Sequence, residues 1–599
     1  MNLREASAAR SPPAALKARD RGDGVIVQLA SLVRALAASS YRRQLALLAA
    51  GVVAVVCANA AGQIRLNAWH GAFFDALEQR AVDVFSVQLL VFGAIVSVLL
   101  VMVVAQTWLQ EMLKVRLRAW LINDLLDEWL VPKRAYRLAL AGEFGVNPDQ
   151  RMQEDARHLT ELSAELGVGL LQASLLLASF VGVLWLLSAQ VVFNTASGSL
   201  VIPGYLVWCA LGYALLGTWA AWLVGRPLIP LNAERYSREA ELRFSLVRLS
   251  ESAEAIALYA GEPEERRVLD RVVGRVIGIM RELANKLARL TWVTSGYGWL
   301  AIVVPILVAA PGYFGGSLSF GALMMVVNAF YQVQQALRWY VDNFSRIADW
   351  RATLLRVVSF RNALLMLESL DADGERITYA DHPDGRLGLG DLSIRLTDGR
   401  ATLDDRRFEL QPGERVLVAG EPGSGKSMLF RALAGLWPCG SGTIALPPRE
   451  EMMFMPQRPY LPLGALRGTV TYPAAPDAYS EEEVRAALER VDLAALIPAL
   501  DREERWDRSL SLDERQRLAF ARLLLHAPRW VILDDASSAL DEEHLLLMLS
   551  IFEQELVDTA VMAVGRRAGR AGSFFDRTIR LHRLNHEVEP ALQPATPSA

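Results

Sequence analysis

Six long apolar runs, almost free of charge, occupy roughly the first 340 residues of this chain and then stop: about 45–62, 85–109, 167–190, 200–225, 292–310 and 318–337. Crossing a hydrocarbon layer of ~30 Å at 1.5 Å per residue takes about 20 residues. Each run is therefore long enough to span a membrane as a helix, and six in one half of a chain argue against buried core helices of a soluble domain.

Basic residues give these spans an orientation, because cytoplasmic loops retain Lys and Arg. Arg34, Arg42 and Arg43 precede the first span, and Lys114, Arg116, Arg118, Lys133, Arg134 and Arg137 separate the second from the third. Arg235, Arg238, Arg243, Arg248, Arg266 and Arg267 separate the fourth from the fifth. Residues 191–199 and 311–317 carry no charge, and the loop after the first span has only Arg65 and Arg80 amid Asp75, Glu78 and Asp83. These three loops are expected outside and both termini inside, as in a multi-pass protein of a bacterial inner membrane.

Residues 1–23 are polar, with Pro12 and Pro13, and read as a mobile tail without a cleavable signal. Val25, Leu29, Leu32, Val33 and Leu36 then recur at helical spacing, which suits either a helix on the membrane surface or a cytosolic lead-in. Two charged stretches, 110–165 and 226–290, read as helices continuing out of the membrane. The first is broken at Gly145-Val-Asn-Pro-Asp149, where Pro148 restricts its predecessor. That break is expected to make a tip, either a structural turn or a contact that relays motion from another domain. The membrane domain is thus placed at 24–365, a linker marked by Asp371, Asp373 and Gly374 at 366–386, a second domain at 387–586, and a tail at 587–599.

Hydrophobic residues make up 52% of the chain, and 62 basic against 66 acidic side chains leave a net charge of −4. No global cationic field of the kind nucleic-acid binders use is present. Cys57, Cys209 and Cys439 are too far apart for a metal or disulfide framework. Past Lys286 the chain has one lysine, Lys426.

That lysine lies in the most informative motif. The buried-strand run Val416-Leu-Val-Ala419 leads into Gly420-Glu-Pro-Gly-Ser-Gly-Lys-Ser427, and a helical segment begins at Met428. This is a phosphate-binding loop in strand-loop-helix context. Gly420, Glu421, Pro422, Gly423, Ser424, Gly425 and Met428 frame the backbone cradle. Lys426 reaches the β- and γ-phosphates, and Ser427 holds Mg²⁺. Asp534 ends the apolar strand Trp530-Val-Ile-Leu-Asp534 and supplies a carboxylate on the metal side, with Asp535 next.

In order, these motifs resemble ATP-binding cassette transporters. Gln457 in Phe454-Met-Pro-Gln-Arg458 matches the Q-loop, Leu510-Ser-Leu-Asp-Glu514 the signature and Ser538-Ala-Leu-Asp541 the D-loop. The resemblance implies a six-helix membrane domain of type I exporter shape fused to an α/β P-loop nucleotide-binding domain. It also implies a half-transporter that dimerises with a second copy or a paralogue, each ATP lying between one phosphate loop and the partner's signature, reached by Ser511. Leu66-Asn-Ala-Trp-His-Gly-Ala-Phe-Phe-Asp-Ala-Leu77, Asn147-Pro-Asp-Gln-Arg151, Ser252-Ala-Glu-Ala-Ile-Ala-Leu-Tyr259, Ala310-Pro-Gly-Tyr-Phe314, Gly435-Leu-Trp-Pro438 and Pro456-Gln-Arg-Pro-Tyr460 narrow it to the SbmA/BacA-related branch. That branch is kin to the peroxisomal fatty-acyl transporters of subfamily D and moves bulky peptides, cobalamin or fatty-acyl compounds. Gln457 and Asp534 then accompany Ser427 at Mg²⁺, and Asp535, Gln457 and Arg566 stand at catalytic positions.

Three residues depart from the pattern. Asp535 replaces the expected Glu and stops one C–C bond, ~1.5 Å, short; a ~1 Å misplacement can cost on the order of a hundredfold. Arg566 stands where a His is expected, and its charged fork is no histidine substitute. Asp513 replaces the second signature glycine; at roughly 5 Å from a γ-phosphate charge it would cost about 3 kcal/mol at an effective dielectric near 20, unless Arg515 or Arg517 screens it. Residues 396–405 offer no aromatic to stack on adenine. Either hydrolysis is slow or Asp535 and Arg566 suffice. A proton-driven transporter with a regulatory cassette is the rival reading, and a nucleotide-gated sensor a third. Trp208, Trp219, Trp222, Trp292, Trp299 and Tyr331 either line a cavity or anchor helices at the interface.

Overall fold

Each apolar run forms most of a helix, and the first, second and fifth lie wholly inside helices longer than themselves. A computed structural model describes residues 24–140, 148–191, 193–195, 198–200, 202–366, 375–396, 399–535, 540–565 and 573–584. Its first helices are α1 (Val25–Ala38), α2 (Arg42–Glu78), α3 (Val82–Trp129), α4 (Arg134–Leu140) and α5 (Ala156–Ser188). They continue as α6 (Tyr205–Gly225), α7 (Leu228–Glu251), α8 (Glu262–Phe314), α9 (Phe320–Asp342) and α10 (Phe344–Met366). The chain divides into two compact units. One holds 15–128 and 147–362; the other holds the segment from Trp129 that carries α4, and the chain from Ala363 onward.

In the helical unit, five helices are long and apolar enough to cross a membrane among the described residues. The sixth expected span forms α9, which falls short in hydropathy because Asn328, Gln332, Gln334 and Gln335 interrupt its apolar face. It nevertheless packs at the centre: Val326, Phe330 and Val333 are fully buried beside Phe180 and Leu184 of α5 and Leu206 of α6. The loop expected after the first span is mostly helix, since α2 runs to Glu78. That end caps α9. Asp75 Oδ1 accepts the Gly321 N–H at 2.7 Å and Glu78 accepts that of Phe320 at 3.3 Å, placing two acids on a helix N-terminus, where negative charge is favoured. A Cβ on Gly321 would lie 2.1 Å from the Gly71 carbonyl, so this contact requires glycine.

The fourth span starts at Tyr205, later than expected, because Phe193–Thr195 and Gly198–Leu200 pair as a small antiparallel hairpin. All six aromatics considered for a cavity lie exposed on this unit. On α1, Ile26, Val27, Leu29 and Val33 are likewise exposed.

At the charged end of the unit, α10 is joined to α3 and α5 by a ladder of ion pairs. Arg346 pairs with Glu165, which Lys114 also contacts at 2.8 Å. Asp349 meets His158 at 2.6 Å, Arg356 meets Asp155 at 2.9 Å and Arg361 meets Asp124 at 2.7 Å. Asp155 closes a short π-helical turn, Arg151–Asp155, directly after the expected break. The segment that clusters with the second unit, 129–146, carries α4 and runs into the expected break. Asn147 lies outside the described residues.

The second unit is built on a ten-stranded mixed sheet. Its strands are β1 (Thr378–Asp381), β2 (Leu387–Leu396), β3 (Gly399–Leu403), β4 (Arg407–Leu410), β5 (Arg415–Gly420), β6 (Gly440–Leu446), β7 (Met452–Met455), β8 (Trp530–Asp534), β9 (Ala560–Gly565) and β10 (Arg577–Leu584). The order is β1-β6-β2-β3-β10-β5-β9-β8-β7, with β4 paired to β2. The run β10-β5-β9-β8-β7 is parallel throughout, so the carboxyl ends of β5, β8 and β7 share one edge. In such sheets ligands bind outside those ends. Four helices matter for the site: α11 (Lys426–Leu433), α12 (Glu481–Arg490), α13 (Leu512–His526) and α14 (Glu542–Gln554). Leu488, Leu518, Leu523, Met548 and Phe552 bury themselves fully between the last three. Within this unit α4 lies near α11: Lys133, just before α4, brings its Nζ to 2.4 Å of where a Cβ on Gly435 would stand.

Candidate nucleotide site

The loop after β5 turns back on itself through two glycines in left-handed backbone, Gly423 (φ +83°) and Gly425 (φ +100°). Only glycine adopts these angles without strain. A Cβ on Gly425 would also lie 2.7 Å from Ala401 Cβ and 3.0 Å from Leu396 Cδ2. Inside the loop the Ser424 N–H donates to the Glu421 carbonyl at 3.1 Å. The Ser424 hydroxyl is 4% exposed and has no hydrogen-bond partner. Lys426 folds its Nζ onto the carbonyls of Gly420 and Glu421 at 2.6 and 2.8 Å. A preformed cradle with a buried orphan hydroxyl and a lysine over its mouth fits a phosphate chain.

Asp534 ends β8 next to this loop and is hydrogen-bonded to Ser427. Burial and the neighbouring Asp535 charge push its carboxyl up to about 6, against the pull of Arg431, the Ser427 bond and Lys426. A bound cation would offset the burial and the like charge that raise this carboxyl, so Ser427 and Asp534 fit a divalent ion. Asp535 is itself in left-handed backbone (φ +46°), with its N–H on the Val564 carbonyl at 2.8 Å. Its Oδ1 is 3.8 Å from where a Cβ on Gly565 would be, at the end of β9. Arg566 follows Gly565 but lies outside the described residues, as do Ser538 and Ala539 of the D-loop.

Gln457 is exposed two residues beyond β7, on the same sheet edge. Its carbonyl accepts from Nε2 of the buried Gln516 at 3.1 Å, linking the Q-loop to α13. Ser511 caps α13 in a reciprocal capping box with Glu514 and is exposed. Arg517, not Arg515, screens Asp513: Nη2 and Nε reach Asp513 Oδ2 at 2.8 and 2.9 Å, while Arg515 Nε bonds the Leu510 carbonyl. Of the stretch 396–405, which offers no aromatic to stack on adenine, Leu396 lies against the phosphate loop, its Cδ2 3.0 Å from where a Cβ on Gly425 would stand. The sequence reading named neither Arg431, which acts on Asp534, nor His544, which faces Asp513. Arg431 lies four residues, about one turn, beyond Ser427 on α11, a signal helical spacing could have given; His544 is distant in sequence and had none.

The transmembrane region matches the family model "ABC transporter transmembrane region 2" over residues 32–314, and the model "ABC transporter" matches 403–538. An uncharacterized ABC transporter ATP-binding protein of Synechocystis is 33% identical over 78% of this chain and 70% of its own length. The inner membrane ABC transporter ATP-binding protein YddA of Escherichia coli is 28% identical over 85% and 89%. Human ATP-binding cassette sub-family D member 3 is 25% identical over 71% and 68%.

Proposed function

The chain belongs to the ABC transporters, with transmembrane and ATP-binding regions fused, and we propose that it is a homodimeric half-transporter carrying a bulky substrate across a bacterial inner membrane. The cargo class is that of the SbmA/BacA and subfamily D resemblance: a peptide, a cobalamin-like molecule or a fatty-acyl compound. Both termini and the cassette face the cytoplasm, a reading the arginine distribution supports, and the name of the YddA relative supports the membrane assigned.

The observation that carries the reading is the convergence of Lys426, Ser427 and Asp534 at one edge of the parallel sheet, beside Asp535. Bound with the nucleotide, Mg²⁺ would neutralise phosphate charge. Ser427 and Asp534 would hold it, with Gln457 approaching from the next strand. Lys426 would exchange its two loop carbonyls for phosphate oxygens. Asp535 is the candidate to orient the attacking water, from a reach shorter than a glutamate's, and Arg566 would add a fixed positive charge. Slow hydrolysis follows. Ser511, whose bonds are local to Glu514, is the group offered to the nucleotide of the second copy. The segment bearing α4 clusters with the cassette, which supports its carrying cassette motion to the spans.

Uptake into proteoliposomes of a peptide, cobalamin and an acyl compound tests this reading. Transport of one of them is expected to need ATP and to be lost in Lys426→Ala. Uptake abolished by a protonophore and indifferent to Lys426→Ala would replace it with proton-driven transport under a regulatory cassette.

A further inference from the structure

Three carboxylates, from three elements, converge on one histidine beside the signature. Asp492 follows α12, Asp513 lies in the first turn of α13 and Asp541 caps the N-terminus of α14. His544, in the first turn of α14, places Nε2 3.3 Å from Asp492 Oδ2. Its Nδ1 is 3.0 Å from Asp541 Oδ1 and 3.8 Å from Asp513 Oδ1. Arg517, its side chain 9% exposed, occupies the other side. Besides holding Asp513 Oδ2, it donates through Nη1 to the Asp492 carbonyl at 2.5 Å and carboxylate at 3.3 Å.

Two atoms of this cluster are buried without a hydrogen-bond partner: Asp513 Oδ1 and His544 Nδ1. They face each other at 3.8 Å, beyond hydrogen-bond length, and Nδ1 also faces Asp541 Oδ1 at 3.0 Å, so a proton on Nδ1 sets positive charge between the two carboxylates. Burial and the Arg517 charge work against that proton, but the bond to Asp492 and the charges of Asp541 and Asp513 outweigh them and raise His544 above the usual histidine value. With His544 charged, two cations stand against three carboxylates. The Asp513 carboxylate is then bonded by Arg517 on one oxygen and faced by the His544 charge on the other, both from inside its own cassette.

We propose that Arg517 and His544 are positioning residues for the signature. Between them they hold Asp513 back, so that Ser511 and not a carboxylate meets the γ-phosphate on the second copy. They also tie the first turn of α13 to the first turn of α14, so that the signature and the D-loop end move together. The inference rests on the reading that Ser511 reaches the partner's nucleotide.

The experiment is Mg-ATP-driven closing of the two cassettes in the lipid-reconstituted full chain. Energy transfer between copies labelled at Asp477→Cys in a background lacking the three native cysteines reports it, whether or not hydrolysis is fast. Arg517→Gln and His544→Gln are each expected to raise the half-maximal Mg-ATP concentration, Arg517→Gln by up to roughly a hundredfold, the order one unscreened charge near a phosphate gives at an effective dielectric near 20. Asp513→Gly is expected to close at least as readily as the parent. The double variants Asp513→Gly/Arg517→Gln and Asp513→Gly/His544→Gln are expected to close like Asp513→Gly alone. If the doubles stay as impaired as the singles, or the singles match the parent, the proposal is overturned, because either residue then acts independently of Asp513. Should Arg517→Gln not fold, the His544 pair decides. Closing unchanged in Ser511→Arg overturns the underlying reading, whatever the Asp513 variants do.

Discussion

Gly425 and Ala401 touch where the phosphate loop passes over β3: a Cβ on the glycine would stand 2.7 Å from the alanine's own Cβ. Both partners are backbone-fixed, so neither can swing aside. Gly425 is also at φ +100°, which an L side chain adopts only with strain. Gly425→Ala is therefore expected to destabilise the cassette by about 2 kcal/mol. By shifting the loop it should also weaken binding of a fluorescent ATP analogue more than tenfold. Thermal unfolding and titration check the two parts separately; wild-type binding would show that the loop yields without cost.

Asp534, with its carboxyl pushed up to about 6, makes the nucleotide-free cassette pH-sensitive. The folded state keeps a proton there that the unfolded chain releases near pH 4. Stability from this group therefore declines as pH rises from about 4 to about 6 and stays reduced above that. Partial exposure trims the penalty to about 2 kcal/mol. In Mg-free buffer, Asp534→Asn is expected to unfold at a higher temperature than the parent at pH 7.5 and at a similar one at pH 4.5, while binding Mg-ATP poorly. Mg-ATP affinity of the parent should drop below pH 6, where the proton competes with the cation.

Asp155 behaves oppositely. Burial alone would raise its carboxyl, but Arg356 at 2.9 Å and Arg151 hold it below the usual range. Its stabilisation is present above about pH 4 and disappears only as pH falls through its lowered value in the folded protein. Asp155 is 4% exposed. Asp155→Asn leaves two guanidinium groups without their partner and is expected to cost about 3 kcal/mol. Unfolding of the reconstituted protein at pH 7 checks this, and a loss no larger than that of a surface variant such as Asp270→Asn would reject it.

What could be read from the chain itself depended on range. The phosphate loop, the strand ending at Asp534 and the apolar runs are local patterns with their own chemistry, and they appear as such in the fold. Span ends were less legible: charge marks where a helix leaves lipid, not where it stops, so α2, α3 and α8 run far beyond their apolar windows. The four amides of α9 lowered its hydropathy while burial placed it at the centre of the bundle. Proline at 148 marks the break, and the segment that clusters with the cassette, 129–146, ends inside it, while α4 within that segment has no marker of its own. Asp513 looked costly in isolation because Arg517 is one helical turn away and His544 more than thirty residues away; only folding brings the second of them to it.

Hydrolysis turns on the end of β8. Asp535 is held at φ +46° by its own N–H on Val564, so its carboxylate cannot advance by shifting the backbone without breaking that bond. One missing methylene should then translate into distance from the attacking water, and distance into rate. Asp535→Glu is expected to raise steady-state ATPase of the reconstituted protein by about tenfold or more. Adding Arg566→His should raise it further, because a histidine can contact the γ-phosphate without the fixed charge of arginine. Mg-ATP affinity of Asp535→Glu should change little, since Lys426, Ser427 and Asp534 are kept. Equal turnover in parent and double variant would mean that the aspartate already reaches, and that this cassette cycles at an ordinary rate.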